Sequence, residues 1–450
     1  MRFTTLSDWL SWQETLHPQE IDLGLERVAA VWKRMEASLD GVKVITVAGT
    51  NGKGSCVAML ESILLAAAYH VGSYTSPHLQ HYNERIRIDG RMAGDDLLCQ
   101  SFERVDQARG EDSLSYFEFG TLAALSIFSE QQPDVVLLEV GLGGRLDAVN
   151  IIDADVALIS SVAIDHSDWL GADRDSIGFE KAGIFRQGRP AVCGDPEPPV
   201  SVLEQARCCG AELSCLGRDF YLSPAGQGSC WSWHSDIPSV NDYCDLPRPG
   251  LEGRIQLNNA ASVLQVLSLL RHELPLDVDV IGQGLRQVCL PGRYQRIYCS
   301  PPLQRCKAND GGAVEVIADV AHNPAAAIAL AQILRDDRQK NDHQGATRAV
   351  IAMLDDKDVA AVVAALNDVV DHWYVTEPAV SRACPAADLL AVLGRLRDGD
   401  DRCSILVYAS VREAVQQALL DASVVPERGD RLLVVGSFYT VTEFLGALST

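Results

Sequence analysis

Short runs of β-branched apolar residues alternate with longer amphipathic stretches along most of the chain. Three of these runs, Val42–Val47, Val135–Val140 and Val156–Val162, are nearly continuous and typical of buried parallel strands. A glycine-rich turn and then a helix through Leu60 to Ala68 follow the first run. The alternation predicts an α/β domain with a mainly parallel sheet.

The pattern breaks at Leu290-Pro291-Gly292, where a Pro-Gly dipeptide is typical of a hinge. Beyond it, apolar runs separated by helical patterns predict a second, smaller Rossmann-like domain. Its predicted strands are Val314–Ala318, Arg348–Met353, Trp373–Thr376, Ser404–Val407 and Leu432–Val435. We therefore expect an N-terminal domain over residues 1–290 and a C-terminal domain over residues 291–450. The weakly periodic segment Ser214–Pro249 predicts β-hairpins or irregular surface structure.

Composition narrows the class of protein. Of the 450 residues, 47% are hydrophobic and 22% are charged, which is typical of a globular protein. No apolar run reaches the roughly 18 residues that span a bilayer, and the first residues do not resemble a signal peptide, so we expect a cytoplasmic protein without membrane association. The net charge of −23 argues against a nucleic-acid partner but permits small anionic substrates at a local cationic site.

The 13 cysteines are scattered and contain no C-x-x-C pair; Cys208, Cys209 and Cys215 form their single local cluster. A zinc site requires paired ligands at short fixed spacing. We therefore expect reduced thiols rather than a metal site or disulfides.

The most informative segment is Ala48-Gly49-Thr50-Asn51-Gly52-Lys53-Gly54-Ser55, between a predicted strand and a predicted helix. In a phosphate loop, glycines let backbone N–H groups converge on phosphate oxygens, the helix N-terminus favours negative charge, and a lysine adds a cation. Ser55 offers a hydroxyl to Mg²⁺. The segment departs from the G-x-x-x-x-G-K-[ST] pattern at Val47 and Gly54, so a plain glycine-rich turn is the alternative, but its position between strand and helix favours a phosphate loop.

The Gly-Lys-Gly-Ser form of this loop resembles the folate branch of the Mur ligase superfamily, the dihydrofolate synthase/folylpolyglutamate synthase family. Further matching blocks extend over nearly the whole chain. They are Ile21–Arg27, Ser76–Leu79, Asn83–Ile88, Tyr116–Thr121, Leu138–Asn150, Asp165–Gly171, Glu180–Arg186, Pro291–Gln295, Asp319–Pro324 and Gly436–Thr440.

For ATP, the resemblance implies binding by Gly52–Ser55 with Lys53 as a catalytic cation, and by Asn259, Arg293 and Asp319. Asn259 taken alone is more typical of a helix cap or a polar surface residue. Arg293 has the planar guanidinium that neutralises phosphate charge, and Asp319 follows the first strand of the second domain, where a ribose hydroxyl could bind.

For metal, the resemblance implies Mg²⁺ on Ser76, Glu139 and His166, although histidine is an unusual ligand for so hard a cation. His166 taken alone is more typical of a capping or core histidine. The resemblance also implies that Lys181 is carbamylated by CO₂ and binds a second Mg²⁺. This chemistry requires a lysine whose pKa is lowered by its surroundings.

For the remaining substrates, the resemblance implies a pterin site and a glutamate site. The pterin residues are Asp22, Leu23, Gly24, Leu25, Ser115, Tyr116, Phe117, Glu118, Leu146, Asp147 and Ala148. Tyr116 and Phe117 could stack on a heterocycle, though aromatic residues are more often core. The glutamate residues are Arg85, His322 and Ser437.

The implied reaction is ATP-dependent ligation of L-glutamate to 7,8-dihydropteroate and to reduced folates, through an acyl phosphate and with release of ADP. Three alternatives remain: an enzyme that only extends folates, a peptidoglycan-type Mur ligase, and a regulatory P-loop switch. The blocks at Ile21–Arg27 and Tyr116–Thr121 weigh against a peptidoglycan ligase, and the lack of a convincing Walker B aspartate weighs against a switch. We expect a monomer.

Overall fold

The computed structural model describes residues 2–19, 22–224, 230–238, 240–308, 310, 313–340, 345–396, 404–423 and 429–448. Ile21, the first residue of a matching block, and Cys403 lie outside these ranges. The chain forms two compact units. The first comprises Met1–Gly250 with Gln256–Cys289, and the second comprises Leu251–Ile255 with Leu290–Thr450.

The first unit is built on an eight-stranded sheet. Its strands are β1 (Lys43–Ala48), β2 (Val71–Tyr74), β3 (Ile86–Ile88), β4 (Arg91–Met92), β5 (Val135–Glu139), β6 (Val156–Ile159), β7 (Pro190–Cys193) and β8 (Glu212–Cys215). The strand order is β4-β3-β2-β5-β1-β6-β7-β8. In this spatial order, all neighbouring strands from β2 through β5, β1, β6 and β7 to β8 pair in parallel. β3 pairs antiparallel with both β2 and β4.

The same unit contains a separate antiparallel sheet in the segment expected to form hairpins. Its strands are β9 (Phe220–Pro224), β10 (Cys230–Ser235) and β11 (Tyr243–Pro247). The α-helices of the unit are α1 (Leu6–Leu16), α2 (Glu26–Arg34), α3 (Lys53–Ala66), α4 (Asp95–Arg109), α5 (Tyr116–Gln131), α6 (Ser167–Leu170), α7 (Arg174–Ala182), α8 (Val200–Cys209), α9 (Arg254–Leu269) and α10 (Val278–Gln287). The first two residues of α9 are assigned to the second unit. Short 3₁₀ helices cover Tyr82–Arg85 and Ala148–Ile151.

Strand register determines where polar side chains meet in the first unit. β1 lies in the middle of the sheet, with Val47 opposite Glu139 of β5 and Ala48 opposite Ile159 of β6. The carboxyl ends of these three parallel strands therefore lie side by side. This edge is where open α/β sheets bind ligands.

The second unit contains a seven-stranded sheet in the order β13-β12-β14-β18-β15-β16-β17. Its strands are β12 (Gln295–Ser300), β13 (Gln304–Arg305), β14 (Val314–Asp319), β15 (Thr347–Ile351), β16 (His372–Val375), β17 (Ile405–Val407) and β18 (Arg431–Val435). Its helices are α11 (Pro324–Lys340), α12 (Val359–Leu366), α13 (Ala386–Leu396), α14 (Val411–Ser423) and α15 (Phe438–Ala447). The five strands from β14 onward run parallel, whereas β12 and β13 add antiparallel pairs.

Apolar residues fill the space between each sheet and its helices. In the first unit, β5 is buried throughout and α5 is buried from Glu118 to Phe128. The α/β class with mainly parallel sheets, expected from the hydrophobic pattern, is confirmed. Among the described residues, no helix has both the length and the apolar character needed to cross a membrane.

Candidate active site

The loop Gly49–Gly52 connects β1 to α3 and is fastened to the segment that follows β6. The backbone N–H of Thr50 donates to the carbonyl of Ser161 at 2.7 Å, and the Thr50 hydroxyl donates to the carbonyl of Ala163 at 2.9 Å. These bonds hold the loop at the sheet edge.

Two glycines of the loop have no room for a side chain. Gly52 has φ +86°, and a Cβ there would lie 2.8 Å from Oδ1 of Asn259. A Cβ on Gly49 would lie 2.0 Å from Oγ of Ser160. Asn259 lies inside α9 with 3% of its surface exposed, and its Nδ2 donates to Oε1 of Gln256 at 2.9 Å. It is therefore neither a helix cap nor a surface residue; its buried side chain packs against Gly52 of the loop.

Lys53 is the first residue of α3, and its ammonium group forms hydrogen bonds with the preceding loop. Nζ donates to the carbonyl of Gly49 at 2.9 Å and to that of Thr50 at 3.3 Å. Gly54 and Ser55 follow in the first helical turn, where the backbone N–H groups and the dipole of a helix N-terminus favour an anion. The arrangement concentrates positive charge at one end of the sheet in an otherwise acidic chain.

Lys181 lies in α7 with 4% of its surface exposed. Burial, together with the positive charge of Lys53, lowers its pKa to about 7, although the carboxylates of Asp165 and Asp147 oppose the shift. A substantial fraction of this amine is therefore neutral near pH 7, unlike an ordinary lysine.

The candidate metal ligands come from three segments at the sheet edge. Glu139 ends β5 with 5% of its surface exposed, and its Oε2 accepts the N–H of Ser76 at 3.1 Å. His166 precedes α6 in the left-handed conformation, with its side chain 40% exposed and Nε2 4.0 Å from Oδ2 of Asp165. No group of three or more His, Cys, Asp or Glu side chains in the described ranges has a metal-binding arrangement. The candidate set instead includes a hydroxyl and a lysine.

The candidate pterin segments are joined by ion pairs. Leu23, Gly24 and Leu25 form the approach to α2, and Asp22 at their start accepts a bond from Arg27 at 2.7 Å. Glu118 accepts from Arg27 at 2.8 Å and also forms a reciprocal capping box with Ser115 at the start of α5. The carboxylate of Glu118 thus has a clear local structural role.

Aromatic and loop residues line the same end of α5. Tyr116 and Phe117 are half-buried; the ring of Phe117 lies 5.9 Å from that of Tyr74. Asp147 is buried between Leu146 and Ala148, and its carboxylate accepts backbone N–H groups within its own loop. Burial raises the pKa of Asp147 to about 6 despite these bonds.

Arg85 is the candidate glutamate residue of the first unit. Its guanidinium lies 5.4 Å from the ring centre of Tyr82 and 5.6 Å from that of Tyr116. Its Nε donates to Nδ1 of His78 at 2.9 Å. Burial and the nearby Arg85 charge lower the pKa of His78 to about 4, so the imidazole is a neutral acceptor near pH 7.

The second unit contains the other candidates near the ends of β14 and β18. Asp319 accepts the N–H groups of Tyr294 and Ala321, each at 2.8 Å, and burial raises its pKa while Arg293 opposes the shift. Nδ1 of His322 donates to the carbonyl oxygen of Val320 at 2.8 Å, because a carbonyl oxygen can only accept. Ser437 is the N-cap of α15, where its hydroxyl accepts the N–H of Thr440 at 3.0 Å. Arg293 lies 5.3 Å from the ring of Phe438.

Sequence reasoning did not single out two charged residues at this site. Asp165 is one of the two carboxylates whose charge opposes the lowering of the Lys181 pKa, and its side chain is 8% exposed. Arg27 joins Asp22 to Glu118. Both lie within blocks that had been matched to the family, so their position in those blocks was the available signal.

Comparisons with known proteins connect this geometry to a family. The family model of the Mur ligase glutamate ligase domain matches residues 303–438. The chain is 42% identical over 440 residues to the dihydrofolate synthase/folylpolyglutamate synthase of Escherichia coli (strain K12), with 98% of this chain and 94% of that relative covered.

Solved structures agree in fold over the full length. E. coli FolC in complex with DHPP and ADP matches with a TM-score of 0.87 and 41% identity, covering 99% of this chain and 98% of that one. A bifunctional folylpolyglutamate synthase/dihydrofolate synthase with Mn, AMPPNP and L-glutamate bound matches with a TM-score of 0.84 and 42% identity, covering 99% and 98%. The chain therefore belongs to the dihydrofolate synthase/folylpolyglutamate synthase family, within the Mur ligases.

Proposed function

We infer that this chain is an ADP-forming ligase that joins L-glutamate to 7,8-dihydropteroate, giving dihydrofolate, and to reduced folates, giving polyglutamates. The observation that carries this inference is the 42% identity, over 98% of the chain, to a relative named for both activities. The geometry of the phosphate loop and the buried Lys181 and Glu139 side chains support the same chemistry.

In the first step, an oxygen of the acceptor carboxylate attacks the γ-phosphorus of ATP, forming an acyl phosphate and releasing ADP. The backbone N–H groups of Gly52–Ser55 and the Lys53 ammonium hold the phosphates and stabilise the charge that develops on them. In the second step, the glutamate amine attacks the acyl carbon, phosphate leaves, and the amine loses a proton. Asn259, which packs against Gly52, and Arg293 and Asp319 of the second unit are the proposed further nucleotide contacts.

A divalent cation fits the donor set proposed for it. Glu139 is a buried carboxylate whose backbone pairs with Val47, just before the phosphate loop, and carboxylate oxygens are preferred ligands of Mg²⁺. Ser76, Glu139 and His166 would hold the ion. When bound, it would neutralise phosphate charge and polarise the phosphoryl group.

Lys181 fits a carbamate. The neutral amine nitrogen attacks the carbon of CO₂ and loses a proton, which leaves a buried anionic carbamate oxygen donor in place of the neutral amine. Its pKa of about 7 makes the neutral amine available near neutral pH. In this proposal the carbamate would hold a second Mg²⁺.

The remaining substrates are assigned to polar and aromatic groups described above. The pterin is proposed to lie against residues 22–25, the start of α5 with Tyr116 and Phe117, and Leu146–Ala148. Glutamate is proposed to bind Arg85, His322 and Ser437. Because Ser437 and Glu118 already form helix caps, we expect them to act through backbone shape more than through a free side chain.

Substrate-dependent ADP release tests this function. We expect purified protein with MgATP to release ADP rapidly only when both glutamate and a pteroate or folate acceptor are present. With ¹⁸O in the acceptor carboxylate, one label should appear in the released phosphate, because the acyl phosphate transfers that oxygen. ADP release that is indifferent to both substrates would indicate a P-loop switch and refute the ligase.

A further inference from the structure

Arg27 lies between the two segments proposed to bind the pterin. Its Nη1 donates to Oδ2 of Asp22 at 2.7 Å, while its Nη2 and Nε donate to Oε1 of Glu118 at 2.8 and 3.2 Å. The planar guanidinium thus uses separate N–H groups on two carboxylates. Such a contact fixes the separation of the two carboxylates as well as their charge balance.

The Glu118 end of this connection is rigid. Its other oxygen, Oε2, accepts the N–H of Ser115 at 2.7 Å, and the Glu118 N–H donates to the Ser115 hydroxyl at 3.3 Å. Glu118 is only 3% exposed and sits in the first turn of α5, directly after Tyr116 and Phe117. Through Glu118, Arg27 is therefore held in a fixed position relative to α5, the helix that carries Tyr116 and Phe117.

The Asp22 end is less enclosed, with its side chain 35% exposed. Besides Arg27, Asp22 contacts Nε2 of His17 at 3.1 Å, and His17 Nδ1 lies 3.0 Å from the hydroxyl of Ser113. The hydrogen bond from Arg27 lowers the pKa of Asp22, so this group is a carboxylate at neutral pH. The exposed part of the Asp22 carboxylate is accessible, while its contacts with Arg27 and His17 hold it in place.

We propose that Arg27 is a positioning residue for the acceptor: it sets the spacing between the loop at residues 22–25 and the N-terminus of α5, and thereby the affinity for the pterin-containing substrate. The proposal rests on the proposed function. It distinguishes Arg27 from residues of the phosphate loop, because loss of Arg27 should affect the acceptor and leave ATP and glutamate unaffected.

Steady-state kinetics of Arg27→Met against a matched control test the proposal. The control is Arg87→Met, which removes another half-buried ion pair of the first unit, between Arg87 and Glu61 at 3.1 Å. We expect Arg27→Met to raise KM for dihydropteroate about 10-fold or more, as for a lost charged hydrogen bond, with KM for ATP and glutamate within about 2-fold. Arg87→Met should leave all three values near wild type.

Arg27→Lys provides a second variant if Arg27→Met melts below the assay temperature. It keeps the charge but lacks the fork that reaches both carboxylates, so KM for dihydropteroate should be intermediate. If wild type is active and Arg27→Met matches Arg87→Met in all three KM values, Arg27 is not a positioning residue. If wild type itself shows no acceptor-dependent turnover, the proposed function fails, and this inference fails with it.

Discussion

At the residue scale, Lys53 carries the sharpest prediction. Its ammonium contacts two loop carbonyls, so removing it withdraws both a cation and a fastening of the loop. We expect Lys53→Ala to lower kcat/KM by roughly 10²-fold or more while the circular dichroism spectrum is unchanged. Lys33→Ala removes an equal charge from an exposed position of α2 and should retain wild-type turnover. Comparable turnover in the two variants would refute the assignment of the phosphate loop.

Lys181 carries a second prediction at this scale. Because its pKa is lowered to about 7, the amine is increasingly neutral above that pH and protonated below it. At a fixed concentration of dissolved CO₂, carbamylation should therefore rise through pH 7, which ¹³C NMR with labelled bicarbonate as the source of CO₂ can measure. Lys181→Ala should lose the ¹³C signal and nearly all activity, with partial rescue by a small carboxylic acid. An active wild-type enzyme without the signal would contradict the carbamate.

At the element scale, the turn from β1 into α3 depends on glycine. Gly52 and Gly41 both have φ +86°, but nothing lies within 4 Å of a Cβ on Gly41, whereas one on Gly52 would meet Asn259. We expect Gly41→Ala to lose about 1 kcal/mol of unfolding free energy from backbone strain, and Gly52→Ala to lose about 1–3 kcal/mol more from crowding. Denaturant titration measures both. Equal losses of unfolding free energy in the two variants would show that Asn259 moves aside for the added methyl group without a free-energy cost.

The elements were more predictable than the contacts among them. Continuous apolar runs predicted β1, β5 and β6 because parallel strands buried on both faces leave a strong local signal. The sequence could not predict that Ser437 caps α15 or that the Asp147 carboxylate accepts a backbone N–H of its own loop. Both contacts depend on the path of the backbone. Arg27 was missed for a related reason: its two partners are 5 and 91 residues away along the chain.

At the scale of the whole molecule, an acidic chain is inferred to act on anionic substrates. The net charge of −23 gives a long-range field that disfavours ATP and folates. Lys53, Arg85 and Arg293 are local cations that oppose this field, and at short range they outweigh screened distant charges. Rising salt should therefore weaken substrate binding less than it would for a protein that relies on long-range attraction.

The central claim is that this single chain adds glutamate to two different acceptors. Both acceptors present a carboxylate to the same phosphoryl donor and take the same amine, so one phosphate loop can serve both. The most direct measurement incubates one purified preparation with MgATP and labelled glutamate, giving dihydropteroate and tetrahydrofolate separately, with Lys53→Ala protein as the control for contaminants. We predict labelled product from each acceptor and, in the same time, roughly 10²-fold less or lower with the variant. Label in only one product would contradict dual activity, and label in neither would contradict the ligase itself.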